Sequence, residues 1–216
     1  MPEEPAAESR ERFITSQMNK RKEAFDATLR PREFAEFPGQ ERVKERLQIV
    51  VQAAKERDEP LKHLLFSGPP GLGKTTLAYI IANTREKNIK ATSAPVIEKP
   101  GDLAGLLTGI DDGDILFIDE IHRLPIAIEE YLYSAMEDFV IDIMIDQGAG
   151  ARSVRLNLPR FTLIGATTRQ GAISAPLRSR FAMCSRLDYY AVSDLQTILT
   201  RSASILDVEA DEQGLY

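Results

Sequence analysis

One cysteine, Cys184, stands in the whole sequence, so no disulfide can form within the chain. That fits a reducing compartment. Histidine is almost as scarce. With only His63 and His122 as candidate bases, Cys184 reads as a small buried hydrophobe rather than a nucleophile. No apolar run approaches the length that spans a bilayer. The opening Met1-Pro2-Glu3-Glu4 lacks a basic-then-apolar leader, so the expectation is a soluble, cytoplasmic protein without a membrane partner. An excess of positive charge is missing too. The formal net charge of −6 excludes a surface coated for nucleic acid, and any DNA contact must be local or made by another part. Residues 1–27 have no sustained apolar period, and a flexible arm is expected there.

What is present is a 43% hydrophobic composition, enough for a globular core, and one glycine-rich stretch around which the rest is organised. Gly68-Pro69-Pro70-Gly71-Leu72-Gly73-Lys74-Thr75-Thr76 matches the phosphate-loop pattern G-x-x-x-x-G-K-[ST]. A short apolar strand, His63 to Ser67, precedes it, and a helical pattern from Thr75 to Ala82 follows. Gly68, Gly71 and Gly73 let the loop curl and aim its N–H groups inward, and the helix that follows favours anions at its start. Lys74 is placed for the β- and γ-phosphates of a nucleotide, and the Thr75 hydroxyl for Mg²⁺.

Thr28-Leu29-Arg30-Pro31-Arg32, Phe34, Phe37 and Gly39-Gln40 read as an extended strip, followed by a helix from Gln40 to about Glu56. Such a strip packs on the domain or covers an adenine. Asp114 to Glu120 is an apolar strand running into two carboxylates, as expected for a strand buried on both faces of a parallel sheet. Asp119 suits the Mg²⁺ shell and Glu120 the polarisation of an attacking water. His122, a lone histidine beside this pair, is read as structural. Short helices are expected at Leu103–Leu107 and Pro125–Asp138, with a β-hairpin over Val140–Leu158. Phe161 to Ala166 is a third buried strand tipped by Thr167-Thr168, whose hydroxyls can meet a γ-phosphate or its water. Arg178 and Arg180 stand in a turn, either as plain surface residues or as a charge offered to a neighbouring subunit. Asp188-Tyr189-Tyr190 is expected to close the last strand, and Ser193 to cap a helix reaching about Leu206. The fold expected is a three-layer α/β sandwich with a parallel sheet and an inserted hairpin.

From about Phe25 onward the order of parts resembles the RuvB family of AAA+ ATPases, bacterial motors of Holliday-junction branch migration. The resemblance rests on Leu29-Arg30-Pro31, Gly39-Gln40, Gly68 to Thr76, Glu98 to Leu103, Asp119 to Leu124, Ala135 to Phe139 and Gly165 to Arg169. It implies an ATP hydrolase and DNA helicase working with ATP and Mg²⁺ as a homo-hexamer around duplex DNA. It also implies roles by position. Leu29 and Arg30 would flank the adenine with Tyr190. Gly71, Gly73, Lys74, Thr75 and Thr76 would hold phosphates, and Glu137, Asp138 and Phe139 would line the nucleotide region. Thr168, with Thr167 beside it, would sense the γ-phosphate. Arg180 rather than Arg178 would act across a subunit interface. The Val140–Leu158 hairpin would dock RuvA, which holds the junction. The domains expected are an arm over 1–27, an ATPase domain over 28–190 and the start of a truncated helical lid over 191–216. The rest of the family's lid and its winged-helix DNA-binding domain are expected to be missing from these residues. Ala182 stands where the family commonly has glycine. Two alternatives are a clamp-loader-like ATP switch and a non-catalytic nucleotide-binding remnant.

Overall fold

Ile115-Leu116-Phe117-Ile118 buries every side chain because its strand is covered on both faces. This strand, β3 (Ile115–Asp119), belongs to a parallel five-stranded sheet with β1 (Leu64–Ser67), β2 (Ile89–Ser93), β6 (Thr162–Thr167) and β7 (Met183–Arg186). The spatial order is β2-β3-β6-β1-β7. A separate antiparallel ribbon pairs β4 (Val140–Met144) with β5 (Ser153–Asn157). The structure, a computed structural model, describes residues 28–144, 153–211 and 214. They fall into two units: Arg32–Ala191, and a smaller one whose described part joins 28–31 to the chain from Val192 on.

Successive strand residues point to opposite faces, and the core of the larger unit divides accordingly. Leu64, Phe66, Ile115 and Phe117 pack with Phe34 and Phe37 and with helices α1 (Glu41–Glu56) and α2 (Lys74–Arg85). Leu65, Leu116, Ile118 and Leu163 pack against α3 (Pro100–Thr108), α4 (Ile126–Glu137) and α5 (Ala175–Ser179). The result is the expected three-layer α/β sandwich. Helix α3 starts earlier than its apolar residues suggest, since Asp102 accepts from the Glu98 and Lys99 amides and Pro100 suits a first turn.

His63 staples the N-terminal end of the sheet. Its Nδ1 accepts from the Leu163 amide at 2.9 Å and its Nε2 lies 2.9 Å from the Met136 carbonyl, so a neutral ring joins β1, β6 and α4. Burial holds its pKa below the ordinary value.

Three expectations are corrected. Cys184 is exposed, because β7 is an edge strand whose Met183 and Ser185 turn inward while Cys184 and Arg186 turn out. The same strand ends at Arg186, so Asp188 to Tyr190 lie beyond it rather than closing it. Ser193 falls inside α6 (Val192–Ile205), the helix of the smaller unit, instead of capping it. Within that unit the Arg201 guanidinium donates to the Leu29 carbonyl. Among the described residues no helix is long and apolar enough to cross a membrane. The expected arm over 1–27 and the hairpin turn at Asp146–Gly150 lie outside the described residues.

Candidate nucleotide site

The loop between β1 and α2 is shaped by glycines that nothing else replaces. Gly68 has φ 141°, and a Cβ there would sit 2.5 Å from the Leu187 carbonyl oxygen. Gly73 has φ 86°, and a Cβ would sit 2.6 Å from the Phe37 ring. Both positions combine a left-handed backbone with close approach. Gly71 lies exposed at the crest, and Lys74 opens α2 with its Nζ curled back to the Gly68 and Pro69 carbonyls at 2.9 and 2.7 Å. Burial lowers the Lys74 pKa, while Asp119 and Glu120 act against that shift. Thr75 and Thr76 follow in the first turn of α2, where backbone N–H groups point toward any bound anion.

Asp119 and Glu120 meet the loop from the tip of β3. The Glu120 amide donates to Asp119 Oδ1 at 2.9 Å, and Glu120 itself has φ 48°. A non-glycine residue there costs about 1–2 kcal/mol, and it turns the chain sharply where the strand ends. Since β6 lies next to β3, Thr168 reaches Glu120: its Oγ1 donates to the carboxylate at 3.0 and 3.3 Å, and its amide lies 3.4 Å away. His122 Nδ1 sits 3.1 Å from Glu120 Oε2 and 2.9 Å from the Thr167 hydroxyl. On the far side of β6, Ser67 stands level with Thr167, and the Gly68 amide donates to the Thr167 carbonyl at 3.1 Å. Lysine, carboxylates and threonines thus gather at the carboxyl ends of adjacent parallel strands, where ligands of such sheets bind.

Tyr190 joins them from beyond β7. Its hydroxyl donates to the Leu72 carbonyl at 3.1 Å and lies 3.1 Å from where a Gly73 Cβ would be. The backbone leading to it is held by Gln40, whose side-chain amide donates to the Asp188 carbonyl and accepts from the Asp188 N–H at 3.2 Å.

The remaining candidates stand elsewhere. Arg180, Glu137 and Phe139 line a cavity of about 560 Å³ with His63 and Phe161, at the N-terminal ends of β1 and β6 and away from the loop. Arg180 stacks over Tyr133 at 4.4 Å, donates to Glu137 at 3.0 Å and to the Pro176 carbonyl at 2.7 Å. Phe139 packs edge-on against Phe161, while Asp138 and Arg178 are exposed. Leu29 and Arg30 belong to the smaller unit.

Residues that sequence reasoning missed are the supports. Phe37 backs Gly73, His122 touches Glu120, and buried Glu129 accepts from Tyr133 and Ser174 at 3.0 and 2.5 Å beneath Arg180. Glu129 carried a signal, a carboxylate on the apolar stripe of α4, but nothing local announced its partners.

A family model for the Holliday junction DNA helicase RuvB P-loop domain matches residues 29–187. The chain belongs to the RuvB family. It is 54% identical over 208 residues to the Holliday junction branch migration complex subunit RuvB of Salinibacter ruber, covering 96% of this chain and 60% of that protein. It superposes on the Thermotoga maritima RuvB Holliday junction branch migration motor with a TM-score of 0.75 at 52% identity, covering 85% of this chain and 57% of that one. A variant of the same RuvB gives a TM-score of 0.78 at 51% identity, covering 87% and 58%. The chain therefore spans about three fifths of the relatives it matches. As a RuvB P-loop domain it is a nucleotide-binding α/β fold of the AAA+ type.

Proposed function

We propose that this chain is the ATP-binding core of a cytoplasmic motor subunit that drives branch migration of Holliday junctions. The observation that carries the reading is the convergence of Lys74, Asp119, Glu120 and Thr168 beside a glycine-curled loop. In this reading Gly71, Gly73, Lys74, Thr75 and Thr76 hold the phosphates, Glu120 orients the attacking water and Thr168 senses the γ-phosphate. Among the described residues no cluster of three or more metal-ligating side chains stands ready-made. Mg²⁺ would be held by the Thr75 hydroxyl and by Asp119. Bound there, the ion would supply neutralisation of charge on the phosphates. Tyr190 serves the adenine side.

Arg180 stands apart from the loop and serves a neighbouring copy in a homo-hexamer around duplex DNA, with Glu137 and Phe139 lining the same cavity and Asp138 between them in the chain. The hairpin supports a role in docking RuvA. One of its faces runs from fully buried Ile141 through Ile143 and Leu156 to exposed Val154, so apolar side chains continue outward from the core. Rotation of a helical lid about Tyr190–Val192 would convert nucleotide state into movement.

Equilibrium titration with a fluorescent ATP analogue and Mg²⁺ tests the core of this reading. Weak binding is expected, lost in Lys74→Ala and kept in Glu120→Gln. Absence of binding by the unaltered chain overturns the reading. Poor turnover and no stable grip on duplex are also expected for residues 1–216, and strong DNA-stimulated hydrolysis by them would refute that assignment of tasks.

A further inference from the structure

We propose that His122 is a positioning residue for Glu120, presenting an Nδ1–H that holds the carboxylate against Thr168. The inference rests on the hydrolytic reading of Glu120 given above, but its geometry is independent of nucleotide. A single ring nitrogen faces two oxygens, Glu120 Oε2 at 3.1 Å and Thr167 Oγ1 at 2.9 Å. The Thr167 hydroxyl already accepts from the Arg169 amide at 2.9 Å. Two proton arrangements are open to the contact between that hydroxyl and the ring.

In the first, Nδ1 is bare and takes the Thr167 proton. A nitrogen lone pair then faces an ionised carboxylate oxygen with no proton between them, which is repulsive. In the second, Nδ1 carries the proton and shares it between Glu120 Oε2 and the remaining lone pair of Thr167. Both contacts of Nδ1 are then attractive and the bond to the carboxylate is charge-assisted, which outweighs the Thr167 proton's loss of its ring acceptor. The geometry selects the second.

The consequence concerns aim. Glu120 leaves the chain from a left-handed backbone and its side chain is about one third exposed, so its neighbours must fix its rotamer. The Thr168 hydroxyl and amide hold it from one side and His122 from the other. Thr167, which bonds His122 through its hydroxyl, also accepts from the Gly68 amide through its carbonyl. The imidazole is thereby the corner at which the phosphate loop, the threonine strand and the carboxylate meet.

The chain carries its own control, because its other histidine, His63, is held in the opposite tautomer by the Leu163 amide on Nδ1. Imidazole ¹⁵N spectra of the nucleotide-free chain at mildly alkaline pH should show His63 protonated on Nε2 and His122 protonated on Nδ1. A bare Nδ1 on His122 overturns the proposal, whatever the enzyme's activity. Basal steady-state hydrolysis gives the second readout. His122→Ala should lower kcat by about tenfold or more, a part of the ~10²–10⁴ that a positioned general base provides, with KM within about twofold. His122→Asn, whose amide N–H reaches the place of Nδ1, should restore most of the loss. His122→Gln, which reaches the place of Nε2, should not. Equal recovery by both variants, or unchanged kcat in His122→Ala, overturns the proposal. If Glu120→Gln leaves turnover unchanged, it is the hydrolytic reading that fails, and the spectra still decide the tautomer.

Discussion

The Gly68 amide donates to the Thr167 carbonyl across 3.1 Å, so the phosphate loop leaves β1 already bonded to the tip of the neighbouring strand. The loop is anchored before any ligand arrives. Its shape then depends on residues that tolerate the anchored path.

Gly73→Ala tests that dependence. The left-handed backbone alone costs an alanine about 1–2 kcal/mol, and the Phe37 ring, 2.6 Å from the new Cβ, has to move as well. Denaturant unfolding should show a loss of roughly 1–3 kcal/mol together with loss of nucleotide binding. Adding Phe37→Leu should recover only the steric share. Wild-type stability in Gly73→Ala would mean the loop is not held as described.

His63 makes stability depend on pH. Burial lowers its folded pKa below 6.5, so beneath that value the unfolded chain binds a proton that the folded chain refuses. This contribution is full above about pH 6.5 and falls away as the pH drops toward the lower folded pKa. Melting temperatures taken between about pH 8 and pH 5.5 should therefore drop more for the wild type than for His63→Gln. Equal drops would place the titration elsewhere.

The support beneath Arg180 should matter more than the ion pair beside it. Tyr133→Phe keeps the ring under the guanidinium but strips a donor from Glu129, which is only 4% exposed. A cost of about 1–3 kcal/mol is expected in denaturant unfolding. Glu137→Gln loosens a partner that is half in solvent, and a change below about 1 kcal/mol is expected. The reverse ranking would contradict the burial pattern.

Hairpin docking is best probed at Val154. Ile143 is packed partly against the core, so an acidic residue there would confound folding with binding. Val154 stands opposite it across the ribbon and is 38% exposed. Val154→Asp should abolish capture of purified RuvA while leaving nucleotide affinity within about twofold, since the ribbon forms its own sheet. Undiminished capture would remove the hairpin from the proposed interface.

The parts of this site that were legible in the sequence are those a short window contains. Gly68 to Thr76 carries its own curl, and Ile115 to Asp119 its own burial and its acidic tip. What the sequence withheld depends on which strands become neighbours. His122 reads as an isolated histidine until β6 settles between β3 and β1 and brings Thr167 to it. Cys184 looks like a core residue until β7 takes the edge. Arg180 was legible as an unusual charge, but Tyr133 and Glu129 were not, because α4 and α5 are distant in sequence and meet only in the packed layer.

The paired bonds between Gln40 and Asp188 join a residue near the start of the larger unit to one near its end. Along the chain back from Ala191, the Tyr190–Leu72 bond comes first and these two next, all before the ladder between β7 and β1. Replacing that one glutamine would therefore slacken the path to Tyr190 while leaving the ladders of the sheet whole.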